Sequence, residues 1–172
     1  MAWEYTGQKR PPFAIKPKKG QESVWDYPRP PSLMPDKRHI EVRVGDLVIA
    51  DSHNTIRLLE TASPPTFYFP PADVRHDALA QHPSSSYCEW RGDAQYWALK
   101  RGEGAREMVG WTYPKPKPGY ELIAGFMCFY PSRVECYVDG ERAQSQPGEF
   151  YGGWVTREIV GPFKGAPGSN DW

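Results

Sequence analysis

The chain has no apolar run long enough to cross a bilayer, no Cys-x-x-Cys pair and no excess of charge of either sign. Its longest apolar stretch, Leu122–Tyr130, is nine residues, where a helical span needs about 20, so no membrane partner is expected. Met1–Phe13 contains no apolar h-region and predicts no secretory leader. The three cysteines, Cys88, Cys128 and Cys136, are odd in number and widely spaced, which argues against both a disulfide framework and a four-cysteine zinc site. A reducing, cytoplasmic setting without a protein-bound metal is the simplest reading. Twenty-one basic side chains balance twenty-one acidic ones, so the basic excess of a nucleic-acid binder is missing. No glycine-rich phosphate loop followed by Lys and Ser or Thr occurs.

What the chain does have is rings. Hydrophobic residues are only 39% of the 172, but seven Trp, ten Tyr and seven Phe are among them. Each can bury roughly 150–250 Å², so few positions suffice for a core, and a disordered chain would be poor in them. The 19 Pro and 16 Gly predict many turns and short elements rather than long helices.

The pattern along the chain is that of short strands. Met1–Asp36 holds seven prolines and the lysines Lys16, Lys18 and Lys19. It predicts an extended arm, with Val24-Trp25-Asp26-Tyr27 docked on the domain through its rings. Residues 1–23 are assigned to this Pro/Lys-rich arm and 24–172 to a single β-rich domain. His39–Val44, Gly45-Asp46 and Leu47–Ala50 read as strand, turn and strand, because Ile40, Val42 and Val44 alternate with charged residues. Further strands are expected at Arg57–Thr61, Thr66–Phe69, Tyr87–Trp90, Ala94–Lys100, Glu107–Tyr113, Phe126–Tyr130 and Val134–Val138. A short helix is expected from Pro71 toward Leu79, a loop at Ser84-Ser85-Ser86, a hairpin turn at Asp139-Gly140 and a helical turn at Thr156–Val160. The fold class predicted is mainly β: a single compact antiparallel-sheet domain with one or two short helices.

An ordered set of segments carries a family resemblance. It includes Val24-Trp25-Asp26-Tyr27-Pro28-Arg29-Pro30-Pro31, Pro64-Pro65-Thr66-Phe67-Tyr68-Phe69-Pro70, Ser86-Tyr87-Cys88-Glu89-Trp90-Arg91-Gly92, Trp111-Thr112-Tyr113-Pro114, Phe150-Tyr151-Gly152-Gly153-Trp154 and Gly161-Pro162-Phe163-Lys164-Gly165. From about residue 24 to the C-terminus the chain resembles the family termed domain of unknown function 427, also labelled nucleotidyltransferase-type family 9. The resemblance implies a compact, mainly β domain with no established activity, and suggests kinship to the β-tent (Mss4-like) architecture. Relatives of that architecture often hold zinc on two Cys-x-x-Cys pairs, which this chain lacks, so the zinc does not carry over.

Three functions are weighed. The leading one is a small-molecule binding domain with an aromatic-lined pocket, built from Arg57, Glu60, Tyr68, Ser86, Tyr87, Cys88, Trp90, Trp97, Trp111 and Tyr113. Period 2 places Trp111 and Tyr113 on one face. It also places Arg57 and Glu60 on opposite faces, so that one of them points inward and needs a partner, either another strand's charge or a ligand. The second is an enzyme: a metal-dependent nucleotidyltransferase, as the family label hints, or a Cys88-dependent catalyst activated by His82 or Arg91. Gly45-Asp46 with Asp51, and Gly168-Ser169 with Asp171, do not reproduce a Gly-Ser followed by Asp-x-Asp. The third is a protein-interaction module using the Pro-rich arm or Pro114–Pro118. The sequence assigns no cofactor and no oligomeric state.

Overall fold

The computed structural model describes residues 3–100, 107–148 and 151–172. Met1 and Ala2 of the expected arm, and Phe150 of the Phe150–Trp154 segment, lie outside them. In chain order the strands are β1 (Glu22–Ser23), β2 (Ser32–Asp36), β3 (Ile40–Val44), β4 (Leu47–Ser52), β5 (Thr55–Leu59), β6 (Thr66–Tyr68), β7 (Leu79–Cys88) and β8 (Gly92–Leu99). They continue as β9 (Met108–Thr112), β10 (Met127–Phe129), β11 (Glu135–Val138), β12 (Glu141–Arg142), β13 (Gln144–Ser145), β14 (Trp154–Val155) and β15 (Ile159–Val160). Three sheets carry the fold, with strand orders β12-β11-β3-β4, β10-β9-β8-β7 and β2-β5-β6. All their pairings are antiparallel. The architecture is mainly β, as expected, and the helical pieces among the described residues are single 3₁₀ turns.

The β3–β4 hairpin forms where the alternation placed it. Ile40 and Val42 are fully buried, and Gly45 turns the chain at φ 58°. A bulge between Val42 and Arg43 pairs these two residues with Ala50 and Val48. The extra residue, Ile49, lets two consecutive side chains, Ile49 and Ala50, both turn inward. The turn expected at Asp139-Gly140 joins β11 to β12 with both central residues at positive φ, 47° and 82°. This is the pairing that matches strand twist in a two-residue hairpin. A Cβ on Gly140 would meet nothing within 4 Å, so Gly140→Ala isolates the conformational term. It is expected to cost about 1–2 kcal/mol, read as a lower denaturant midpoint at unchanged m-value.

Two neighbouring cores share a wall. On β6 and the residue after it, Phe67 and Phe69 enter the first core while Tyr68 enters the second; on β10, Met127 and Phe129 enter the first and Cys128 the second. Both faces of these strands are covered, so they read in sequence as unbroken apolar runs. An isolated bridge between Phe69 and Met127 ties the β6 end to β10. A third core forms where the two ends of the chain meet. Trp25 is wholly buried, with Tyr5, Phe13 and Trp172 rings at 5.6, 5.4 and 5.3 Å. Its indole N–H donates to Pro162 O at 3.2 Å. β1 runs parallel to β15 beside it, and Ile15 N–H donates to Gly161 O.

Three local expectations are corrected. The segment after Pro70 is two 3₁₀ turns, Pro71–Asp73 and His76–Ala78, rather than a helix. Val74 bridges to Ala50 and Arg75 N–H bonds to Ile49 O, so the edge of β4 takes the backbone bonds a helix would use. Ser84-Ser85-Ser86 is part of β7 rather than a loop. A bulge between Gln81 and Ser85 accommodates Pro83 on this outermost strand. Thr156–Val160 is not a helical turn: Ile159 N–H closes a turn on Thr156 O, and the chain leaves as β15.

Candidate functional site

The second core is open on one side. Tyr68 from β6, Tyr96 from β8, Trp111 from β9, Tyr113 just beyond it and Tyr130 just beyond β10 surround a cavity of about 340 Å³. Trp111 and Tyr113 reach it together because they are two residues apart on an extended chain. Trp111 is fixed from several sides. Its indole N–H donates to the Tyr68 hydroxyl at 3.2 Å, and the Tyr130 ring lies 4.6 Å from it. Gly152 packs so closely that a Cβ there would collide with the far edge of the indole. Burial pushes the Tyr68 hydroxyl well above the usual tyrosine value, keeping it neutral. Ser86 and Tyr96 share a hydrogen bond of 2.6 Å at the wall.

A charged corner completes the cavity. The β7–β8 turn supplies Arg91, and the residue after β5 supplies Glu60. Arg91 Nε donates to the Tyr113 hydroxyl at 3.3 Å, and its Nη1 lies 3.7 Å from Glu60 Oε1. Arg91 stays charged, its pKa held above the usual arginine value although burial works against the charge. On the other side of Glu60, Arg29 Nε stands 4.0 Å from Oε2. The Trp3 ring covers Arg29, with Cζ 3.9 Å from its centroid, and Lys164 Nζ approaches the same ring at 5.2 Å. Gln146 positions backbone rather than facing the cavity as a free group: its amide donates to Lys164 O at 2.7 Å and accepts from Gly153 N–H at 3.1 Å.

Of the ten residues expected to form a pocket, Glu60, Tyr68, Ser86, Tyr87, Cys88, Trp90, Trp111 and Tyr113 line this cavity. Arg57 and Trp97 do not, and the reason is strand parity. Leu58 and Glu60 face the cavity, so Arg57 faces away, where it meets Glu22 at 2.9 Å and Asp36 at 3.6 Å. Tyr96 faces the cavity, so Trp97 packs against the first core and donates to Thr112 Oγ1 at 3.0 Å. Lys164, Gln146 and Trp3 were not singled out from sequence. They come from the two ends of the chain, and no local period connects them to the strands.

The histidine base and the carboxylates that the enzymatic alternatives need are dispersed. Cys88 lines the cavity with Arg91, but His82 is six residues earlier on the same strand. At about 3.3 Å per residue that separation is about 15–20 Å, and His82 Nδ1 accepts from Ser84 N–H. His82 therefore cannot serve Cys88 as a base. Asp46, Asp51 and Asp171 lie off the cavity. Ser169 is buried and spends its hydroxyl on Gly165 N–H and Ala166 O. On the β3–β4 hairpin, ligand atoms of His39, Glu41 and Asp51 lie within 4.8 Å of one another. They are already engaged, His39 with Asp51 at 2.8 Å and Glu41 with Arg43 at 2.7 Å.

No helix among the described residues is long and apolar enough to cross a membrane. No curated protein matches the chain. The family model described as domain of unknown function DUF427, and labelled NTP_transf_9, matches residues 32–140. That span contains every strand that walls the cavity from Leu58 to Tyr130 and leaves out Trp3, Gln146 and Lys164. A match over well more than half the chain, on the strands that build its sheets and its cavity, makes this protein a member of the DUF427 family.

Proposed function

We propose that the protein is a small-molecule binding domain whose ligand occupies the ring-walled cavity. One observation carries this reading: a cavity of about 340 Å³ is walled by Tyr68, Tyr96, Trp111, Tyr113 and Tyr130 and edged by Arg91 and Glu60. Small-molecule sites are typically of about 300–1,000 Å³, mostly apolar, with a few convergent polar groups. Glu60, Tyr87, Cys88 and Trp90 contribute to the rim, whereas Arg57 and Trp97 act structurally. A cytoplasmic location is part of the same reading, supported by three free thiols at Cys88, Cys128 and Cys136.

A thermal-shift screen of aromatic and conjugated metabolites tests the proposal. A ligand at a hundred times its dissociation constant is expected to stabilise the protein by about 2.7 kcal/mol. Gly152→Ala, which displaces the Trp111 ring, is expected to abolish that response while the variant still unfolds cooperatively. Stabilisation that persists unchanged in Gly152→Ala, or a complete absence of stabilising compounds, would overturn the reading.

A further inference from the structure

The hydrogen-bonding capacity of the charged corner is lopsided. Three cationic side chains, Arg29, Arg91 and Lys164, converge there around Glu60. Both Glu60 contacts, at 3.7 and 4.0 Å, are too long to be hydrogen bonds. Arg91 Nη1 and Arg29 Nε are buried and have no acceptor, although Arg29 spends its other nitrogens on Tyr5 O and Thr61 O. Thr66 Oγ1, which lines the cavity as Arg91 does and Arg29 does not, is buried without a partner. The second nearby carboxylate, Glu89, is exposed at the rim. Burial and the neighbouring Arg29 charge hold the Lys164 ammonium below its usual value, with Glu60 and Glu89 only partly opposing them. A buried donor without an acceptor is destabilising, more so when it is charged. A site that carries several is short of acceptors rather than donors.

We infer that the ligand of this cavity is a flat ring system bearing an anionic group, a carboxylate or a phosphate, held between Arg91 and Lys164 while the ring stacks against Trp111. The inference rests on the binding function proposed above and adds the ligand's charge to it. Arg91 supplies a planar fork suited to a two-oxygen acceptor, already aligned by its bond to Tyr113. Lys164 supplies a point charge from the C-terminal segment, and its main-chain carbonyl is held by Gln146. The Trp3 ring screens Arg29 from the opening and carries its charge on one face. A cationic ligand, which ring-lined cavities often take, would meet Arg91 and Lys164 as like charges.

Four naphthalene probes of one size test this by calorimetry on the full chain: naphthoate, naphthyl phosphate, neutral naphthylmethanol and naphthyl-trimethylammonium. One of the two anions is expected to bind at least about tenfold more tightly than the neutral probe, and which of them does so separates carboxylate from phosphate recognition. Arg91→Gln and Lys164→Gln are each expected to reduce the preference for the anion over naphthylmethanol by about tenfold. Lys164→Gln is the variant to rely on if Arg91→Gln does not fold. Equal or tighter binding of the neutral or cationic probe overturns the anion assignment and leaves the binding function standing. Failure of all four probes to bind removes both.

Discussion

Truncating Trp154 to alanine is expected to lower the free energy of unfolding by about 3–5 kcal/mol, the largest loss for any single ring in the first core. Trp154 is wholly buried and packs on Phe67 at 4.9 Å and Phe69 at 6.3 Å. Its indole N–H donates to Phe129 O at 2.9 Å, so the substitution also leaves a strand-end carbonyl without its donor. β14 has only two residues and pairs with β13 alone. The indole is therefore a main tether of this segment against the wall shared by the two cores, beside the bond from Trp154 N–H to Pro65 O and the bonds between Gln146 and Gly153. For a domain of this size 1 kcal/mol corresponds to about 2–4 °C in Tm, so a decrease of about 10 °C is expected by calorimetry. Trp154→Phe keeps most of the volume and loses the donor, and is expected to cost less than half as much. A Trp154→Ala variant melting within about 2 °C of the wild type would show that the shared wall is held from elsewhere.

The second large effect is expected at Arg57, one of the two charges that strand alternation places on opposite faces. Arg57 is 6% exposed and joins Glu22, at 2.9 Å, to Asp36, at 3.6 Å. Asp36 in turn accepts from Arg38, which also reaches Glu158 at 2.6 Å. The network thus ties β1 and β2 to β5 and to the turn before β15. Removing one partner of a buried pair costs about 3–5 kcal/mol. Because Asp36 keeps Arg38, Arg57→Met is expected near the lower end, about 3 kcal/mol.

The same network sets the acid limit of stability. Burial alone would raise the Asp36 pKa, but hydrogen bonds from Arg38 and the nearby Arg57 hold it below the usual carboxylate value. At Glu22 burial also pushes upward and is outweighed by hydrogen bonds from Arg57 and Tyr27. Carboxylates with depressed folded-state values bind protons more readily when unfolded. Their contribution is therefore complete above the unfolded value, near pH 4, and disappears as the pH falls through the lower folded values. Wild-type stability is expected to be flat from neutral pH down to about 5 and to drop below about 4. In Arg57→Met, Glu22 loses its main cation while Asp36 keeps Arg38, so the drop is expected to begin at higher pH through Glu22. A midpoint of acid unfolding unmoved in the variant, followed by tryptophan fluorescence, would show that Arg57 is not what holds Glu22 ionised.

The features legible in sequence are those whose cause is local. The β3–β4 hairpin follows from Ile40 and Val42 alternating with Glu41 and Arg43, and the Asp139-Gly140 turn from the need for two positive φ angles. The pairing of Trp111 with Tyr113 follows from a period of two. The features that were not legible depend on what a segment meets. Ser84–Ser86 looks like a loop until β8 offers its backbone groups, and the residues after Pro70 look helical until the edge of β4 takes their bonds. Arg57 and Glu60 illustrate the boundary between the two. Alternation says that they diverge, but only Asp36 and Glu22 on one side, and Arg91 and Arg29 on the other, decide which is structural and which faces the cavity.

By itself the amino-acid sequence determined a mainly β chain with a core made of rings, because propensity, alternation and turn chemistry act over a few residues. The tertiary structure decided that those rings form two cores with a common wall, and that the second stays open. It also decided that Trp3 and Lys164, from opposite ends of the chain, meet at its charged corner. Strand pairing and end-to-end packing bring together residues more than a hundred positions apart, and no periodicity in the sequence extends that far.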